Sequence, residues 1–312
     1  MSELTPRKDL LDIESLSLDE IEYVLENAVP FKQLFQRSVK KVPTLRGKTV
    51  LNLFYEPSTR TSSSFEVAAN RMSADVTNFT ISASSVVKGE SLLDTIETLQ
   101  AMRSDYIVIR HQAAGVPGIV AQHTRASVLN AGDGYHAHPT QALLDAMTFR
   151  EVYPDFKGRK VVIVGDVLHS RVARSTSTLF HKLGIEVAVL GPGSLIPEGR
   201  HDFMQRFRSW DEVFEWKPDA VYLLRVQMER QEGQFFPSIA EYHKMYGMHS
   251  ERVQRMRELG CYLMHPGPVN RGVEITDEAM GYEKSLISTQ VENGIAVRMA
   301  VLHWLKPETQ HD

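Results

Sequence analysis

A single cysteine, Cys261, stands in this chain of 312 residues, which excludes an internal disulfide and any multi-thiolate zinc site built by the chain alone. Long apolar runs are missing too. None approaches membrane-spanning length, and Met1-Ser2-Glu3 opens no signal peptide, so the simplest expectation is a cytoplasmic protein without a membrane partner. Nor is there a surplus of one charge: 35 Lys and Arg against 39 Asp and Glu leave −4, so nucleic acid is not an expected partner. No internal repeat or low-complexity tract is present. A Gly-rich phosphate loop is absent as well. Gly47-Lys48-Thr49 resembles the end of one, but Val42 stands where the first Gly is required and a strand pattern follows, not a helical one.

What is present is ordinary globular material, 42% hydrophobic and 24% charged, long enough for two domains with a core each. Ser17-Leu18-Asp19-Glu20 matches a capping box, with Ile21, Val24, Leu25 and Ala28 on one face of the helix behind it. Short apolar runs then alternate with helical spacing. Strands are expected at Val50 to Tyr55, Val76 to Ile81, Tyr106 to Arg110, Ser127 to Ala131, Val161 to Asp166, Val187 to Leu190 and Ala220 to Leu224. Helices are expected from near Ser62, after Ser91, over Pro117 to His123, from Pro139, from about Ser170 to Leu183, and over Trp210 to Trp216, Glu251 to Leu259 and Val291 to Trp304. Ser82 to Glu90 reads as a flexible polar loop and Glu229 to Gly247 as a mobile lid, while Tyr153 to Gly158 reads as the crossing between domains.

The stretch that organises the rest is Leu51 to Glu66, where a buried strand is stopped by Pro57 and followed at once by a helix. The first N–H groups of a helix have no carbonyl partner and carry the positive end of its dipole, so an anion can dock there. Ser58, Thr59 and Thr61 add hydroxyl donors, and Arg60 a guanidinium fork suited to phosphate. Taken alone, Ser-Thr-Arg reads as an ordinary N-cap with a solvated Arg. Arg110, at the end of another strand, points to the same side, because parallel sheets place ligands beyond their strand ends.

Phe54-x-Glu56-x-Ser58-Thr59-Arg60-Thr61 resembles the carbamoyl-phosphate signature of the aspartate and ornithine carbamoyltransferases. Lys88-Gly89-Glu90, His138-Pro139-Thr140-Gln141, Arg225-Val226-Gln227 and His265-Pro266-Gly267-Pro268 follow in family order, so matching blocks run from about Phe54 to Glu274. The resemblance implies an α/β protein of two domains, each a parallel sheet flanked by helices, with the C-terminal helix packing back on the first. The expected division is residues 1–152 with 289–306 for carbamoyl phosphate, and 153–288 for aspartate. The ornithine enzymes carry a Cys in a His-Cys-Leu-Pro block where this chain reads His265-Pro266-Gly267-Pro268. That difference and Arg225-Val226-Gln227 favour the aspartate branch.

The implied reaction joins carbamoyl phosphate and L-aspartate to give N-carbamoyl-L-aspartate and phosphate, a step of pyrimidine biosynthesis, with no cofactor and no metal. By resemblance, Ser58, Thr59, Arg60, Thr61 and Arg110 hold the phosphate, and His138 polarises the carbonyl with Thr61 and Arg110. Gln141 and the backbone of Gly267 and Pro268 fix the carbamoyl NH2, and Ser84 and Lys88 come from a neighbouring copy in a homotrimer with shared sites. Arg171, Arg225 and Gln227, with Lys88, seat the two carboxylates of aspartate, while Glu56 pairs with Arg171 and Arg230. His169 matches no site residue of the family. A regulatory chain or a dihydroorotase is left open as a partner. Other readings stay open at this stage: an ornithine or related carbamoyltransferase, and a catalytically silent member that serves as a scaffold. Gly132-x-Gly134-x-x-Ala137 also fits a loose dinucleotide fingerprint and His136-x-His138 a metal pair, though neither accounts for Gln141.

Overall fold

Apolar runs too short for helices, each followed by residues spaced three and four apart, fold here as successive βα units. The computed structural model describes residues 5–80, 92–197, 203–226 and 238–308. Its described part divides into two compact units, Met1–Met147 with Glu292–Asp312, and Thr148–Val291.

The first unit holds α1 (Leu18–Gln33), β1 (Thr49–Phe54), α2 (Thr59–Arg71), β2 (Asp75–Thr80), α3 (Leu92–Ala101), β3 (Tyr106–His111), α4 (Val116–Gln122) and β4 (Ser127–Asp133). The chain passes to the second unit within α5 (Pro139–Val152). The four strands form one parallel sheet in the order β2-β1-β3-β4. Every residue of β4 is buried and β1 is buried from Val50 on, as fits a sheet covered on both faces. One face packs Leu51, Leu53, Ile107, Ile109 and Val128 under Ile96, Leu99, Val116 and Val120 of α3 and α4. The α1 capping box forms as expected: Glu20 N donates to Ser17 Oγ at 3.1 Å, and Ser17 N to Glu20 Oε2 at 2.8 Å. The final helix, α11 (Ile287–Trp304), returns to this unit and sets Trp304 and His303 against Tyr23 and Phe31 of α1, with ring centroids 6.5 and 5.9 Å apart.

The second unit contains β5 (Lys160–Val164), α6 (Arg171–Lys182), β6 (Glu186–Leu190), β7 (Gln205–Phe207), α7 (Trp210–Trp216), β8 (Ala220–Leu223), α8 (Ile239–Tyr246), α9 (Ser250–Leu259), β9 (Tyr262–Met264) and α10 (Asp277–Met280). Its sheet is again parallel, in the order β7-β6-β5-β8-β9. Val162, Val164, Val221, Leu223 and Leu263 pack with Trp210, Val213 and Phe214 of α7 and Val253 and Met256 of α9. Elsewhere in the unit, Phe149 stacks on Phe156 at 6.2 Å and lies 5.9 Å from Phe180.

Three elements depart from expectation. β7 and α10 give no sequence signal, because β7 is a three-residue strand with Gln205 and Arg206 exposed and α10 is one turn long. The segment read as a lid contains α8: Ser238 accepts from Glu241 N at 3.1 Å, Glu241 sits in the first turn, and Tyr242 is buried, so its described part is a capped, packed helix. The rest of that segment, and the loop expected at Ser82 to Glu90, lie outside the described residues.

Candidate functional site

In an open parallel sheet, ligands bind beyond the strand ends where the order reverses. In the first unit that point is β1, flanked by β2 and β3, and the register sets Phe54 beside Arg110 at the carboxyl ends. Tyr55 N donates to the Arg110 carbonyl at 2.9 Å, which carries the pairing one residue past β1 before α2 begins. The Ser58-Thr59-Arg60-Thr61 turn therefore sits at the strand end because the strand stops there.

Ser58 occupies the N-cap of α2, yet its side chain does not cap. Elsewhere Ser17, Ser170, Ser209, Ser238 and Thr276 each accept from the N–H three residues on. Ser58 Oγ turns instead to Thr61 Oγ1, at 3.0 Å. The amides of Thr59, Arg60 and Thr61 precede the first intrahelical bond, Ser62 N to the Ser58 carbonyl at 3.0 Å. Thr59 and Arg60 are exposed, and Ser58 and Thr61 half-buried. Such a helix start turns its positive dipole end outward, where an anion can dock.

Arg110 adds a cation to the same rim. Its Nη1 donates to the Ala131 carbonyl at 3.2 Å, and its Nε lies 3.4 Å from Glu56 Oε2. What is shown of Glu56 is thus an ion pair within the first unit; Arg230, one of its expected partners, lies outside the described residues. The β4–α5 turn is organised by Asp133, which is fully buried and accepts from Gly115 N at 2.7 Å, Asn130 Nδ2 at 2.8 Å and Ala137 N at 3.0 Å, with His136 Nδ1 also at 3.0 Å. This explains Gly134 without a dinucleotide: a Cβ there would meet Ala114 N at 2.9 Å, so the turn itself needs a residue lacking one. His136 is likewise engaged by Asp133, and among the described residues no three His, Cys, Asp or Glu are grouped to hold a metal ion. Pro139 opens α5, and His138 and Gln141 flank it, both buried, with Gln141 N donating to the His138 carbonyl at 3.0 Å.

In the second unit the order reverses at β5, between β6 and β8. After β5, Asp166 accepts from His169 N at 3.1 Å and faces its Nδ1 at 3.1 Å, which gives His169 a local structural partner. Ser170 accepts from Ala173 N at 3.1 Å and caps α6, and so sets Arg171 at the first helical position, 3% exposed. Beyond β8 comes Arg225, half-buried, and then Val226, whose carbonyl accepts from Asn270 Nδ2 at 2.9 Å. That bond ties the Arg225 stretch to Asn270, two residues past the His265–Pro268 turn, which contains a cis Gly267-Pro268 peptide. His265 Nδ1 accepts from Gly267 N at 2.8 Å and its Nε2 stands 3.2 Å from Glu274 Oε1. Glu274 also accepts from Asn270 N, and Gln290 Oε1 from His265 N at 2.9 Å.

Within the first unit the structure brings together Ser58, Thr61 and Arg110 at the β1–β3 rim and His138 and Gln141 at the start of α5. Within the second it sets Arg171 and Arg225 after the two strands at the switch point, with Asn270, shortly after Gly267 and Pro268, bonded to Val226 beside the latter. Ser84, Lys88 and Gln227 lie outside the described residues. The supporting acids Asp133, Asp166 and Glu274 escaped the sequence reading. Their partners are set by turns, and only the i, i+3 spacing of Asp133 to His136 and Asp166 to His169 offered a signal.

Two family models match the chain. The carbamoyl-P binding domain of aspartate/ornithine carbamoyltransferase covers residues 8–151, and the Asp/Orn binding domain of the same family covers residues 157–305. The aspartate carbamoyltransferase catalytic subunit of Akkermansia muciniphila is 64% identical over 306 residues, spanning 98% of this chain and 99% of that protein. That of Endomicrobium trichonymphae is 52% identical, with 97% of each chain covered. Among solved structures, Trypanosoma cruzi aspartate transcarbamoylase in complex with N-(phosphonacetyl)-L-aspartic acid superposes with a TM-score of 0.84 at 27% identity, over 96% of both chains. The catalytic subunit of M. Jannaschii aspartate transcarbamoylase gives 0.83 at 32% identity, over 95% of this chain and 97% of that one.

Proposed function

This chain belongs to the aspartate/ornithine carbamoyltransferase family, and on that premise we propose how its residues divide the work of the reaction it catalyses. The reaction is transfer of the carbamoyl group from carbamoyl phosphate to the amine of L-aspartate, giving N-carbamoyl-L-aspartate and phosphate. The observation that carries the assignment is the α2 N-cap whose side chain leaves its own helix uncapped. We assign the phosphate to Ser58, Thr59, Arg60, Thr61 and Arg110, where amides, hydroxyls and guanidinium groups meet three anionic oxygens.

The amine nitrogen of aspartate attacks the carbamoyl carbon, an N–C bond forms, and the C–O bond to phosphate breaks. The leaving phosphate can take the amine's proton, so no side chain need become a nucleophile. His138 donates a hydrogen bond to the carbonyl oxygen, with Thr61 and Arg110 beside it, as negative charge gathers there. Gln141 and the Gly267 and Pro268 backbone hold the carbamoyl NH2. On the second unit, Arg171 and Arg225, with Gln227, grip the two carboxylates of aspartate, for which a bidentate fork is the fitting group. Catalysis is then positioning and electrostatics.

Ser84 and Lys88 are assigned to a neighbouring copy's site in a homotrimer, on the resemblance of their loop alone. The cytoplasm is the proposed location: no helix among the described residues is long and apolar enough to cross a membrane, and the one cysteine is buried. A coupled assay of carbamoyl phosphate with L-aspartate against L-ornithine tests the substrate, and native mass measurement tests the assembly. Turnover confined to aspartate and a mass of three chains are expected. Turnover with ornithine, or a monomer with full activity, would contradict the reading.

A further inference from the structure

Gln141 and Asp145 lie one turn apart on α5, 8% and 0% exposed, and Gln141 Nε2 donates to Asp145 Oδ1 at 3.0 Å. Arg298 comes from α11 and is 4% exposed. It donates through Nη1 to Ser64 Oγ on α2 at 3.0 Å and to the Gly294 carbonyl at 2.8 Å, with its guanidinium carbon 4.9 Å from the centre of the Phe65 ring. Burial pushes the pKa of Arg298 down to about 10, and the nearby charge of Asp145 opposes that, so the guanidinium is a cation at neutral pH. The charge that acts on this buried cation is that of Asp145.

A glutamine amide has two ends of similar shape and opposite hydrogen-bonding character. An ionised carboxylate can only accept, so it can face only the NH2 end. The carbonyl oxygen is then the end left to serve a ligand, and an oxygen accepts from a carbamoyl NH2, whereas a flipped amide would set NH2 against NH2. We propose that Asp145, with Arg298 as its counter-ion, is a positioning residue that locks the polarity of the Gln141 amide and so selects a carbamoyl phosphate over an acyl phosphate lacking the NH2. This rests on the reading of Gln141 as the group that meets the carbamoyl NH2. Through Ser64, the same guanidinium also ties α11 to the helix that begins at the phosphate turn.

The test measures affinities for carbamoyl phosphate and acetyl phosphate, which differ by NH2 against CH3, by calorimetry on the full chain. A purely structural defect would weaken both. In Asp145→Asn, whose side chain can donate as well as accept, carbamoyl phosphate should bind about tenfold more weakly, with acetyl phosphate changed less than about twofold. Equal weakening of both, or of neither, overturns the proposal. Should that variant fail to fold, Arg298→Met should lose the same selectivity and Arg298→Lys should restore it; selectivity kept in Arg298→Met overturns the proposal as well. Gln141→Ala separates the two levels. If it loses the selectivity and Asp145→Asn keeps it, only the proposal falls; if Gln141→Ala keeps it, the reading of Gln141 falls and the proposal with it.

Discussion

Arg60 is exposed at the start of α2 and contributes little to packing, while the proposed chemistry asks it to neutralise the oxygen that leaves. Arg60→Ala is therefore expected to keep its melting temperature and to lose about a thousandfold in kcat/KM, about 4 kcal/mol of transition-state stabilisation. Near-normal turnover in steady-state assays would remove Arg60 from the site. At this scale the sequence was most legible where the proposed site residues fall in one short run. Ser58 to Thr61, and His138 with Gln141, are picked out by the family motifs they resemble, and a helix start fixes which of their neighbours share a face. Asp145 and Arg298, which lie 153 positions apart, could not be paired that way. Nothing local marks either as buried, and only the return of α11 to the first unit brings them together.

Helix starts give the clearest test at the scale of elements. Ser17 caps α1 in a reciprocal box, so Ser17→Ala should cost about 1 kcal/mol in chemical denaturation. Ser58 makes no such bond, so Ser58→Ala should leave stability within about 0.5 kcal/mol while raising the KM for carbamoyl phosphate. The reverse pattern would make Ser58 an ordinary cap. Strand ends carry a pH effect. Burial pushes the pKa of His111, at the end of β3, below its usual 6.5, partly opposed by Asp133. The unfolded chain then binds a proton that the folded chain resists, so the stability contributed is full above pH 6.5 and is lost as pH falls through the depressed folded value. Melting temperature should drop between pH 7 and pH 5, and less steeply in His111→Gln; an unchanged slope would clear His111 of the effect. The longer elements with an apolar core were readable from periodicity, and their ends lie within four positions of those expected. β7 and α10 were not, since three or four residues cannot show a period, and α8 was hidden by a polar face that leaves Tyr242 as its one buried side chain.

Two parallel sheets built on the same plan give the molecule two switch points, and each carries the residue types its proposed ligand needs. β1 and β3 end in hydroxyls, amides and guanidinium groups suited to phosphate. β5 and β8 lead to Arg171 and Arg225, suited to a dicarboxylate. The succession of strands and helices followed from alternating patterns, and the division into two such sheets from the family resemblance. The buried acids Asp133, Asp166 and Glu274 did not, because an acid that holds a turn looks in sequence like any solvated one. The central claim is that the phosphate of the substrate rests on the start of α2. The most direct measurement is a crystal structure of the protein soaked with N-(phosphonacetyl)-L-aspartate. The phosphonate should lie within hydrogen-bond reach of the Thr59 to Thr61 amides, the Ser58 hydroxyl and the guanidinium groups of Arg60 and Arg110, while a phosphonate bound away from Arg60 would contradict the account.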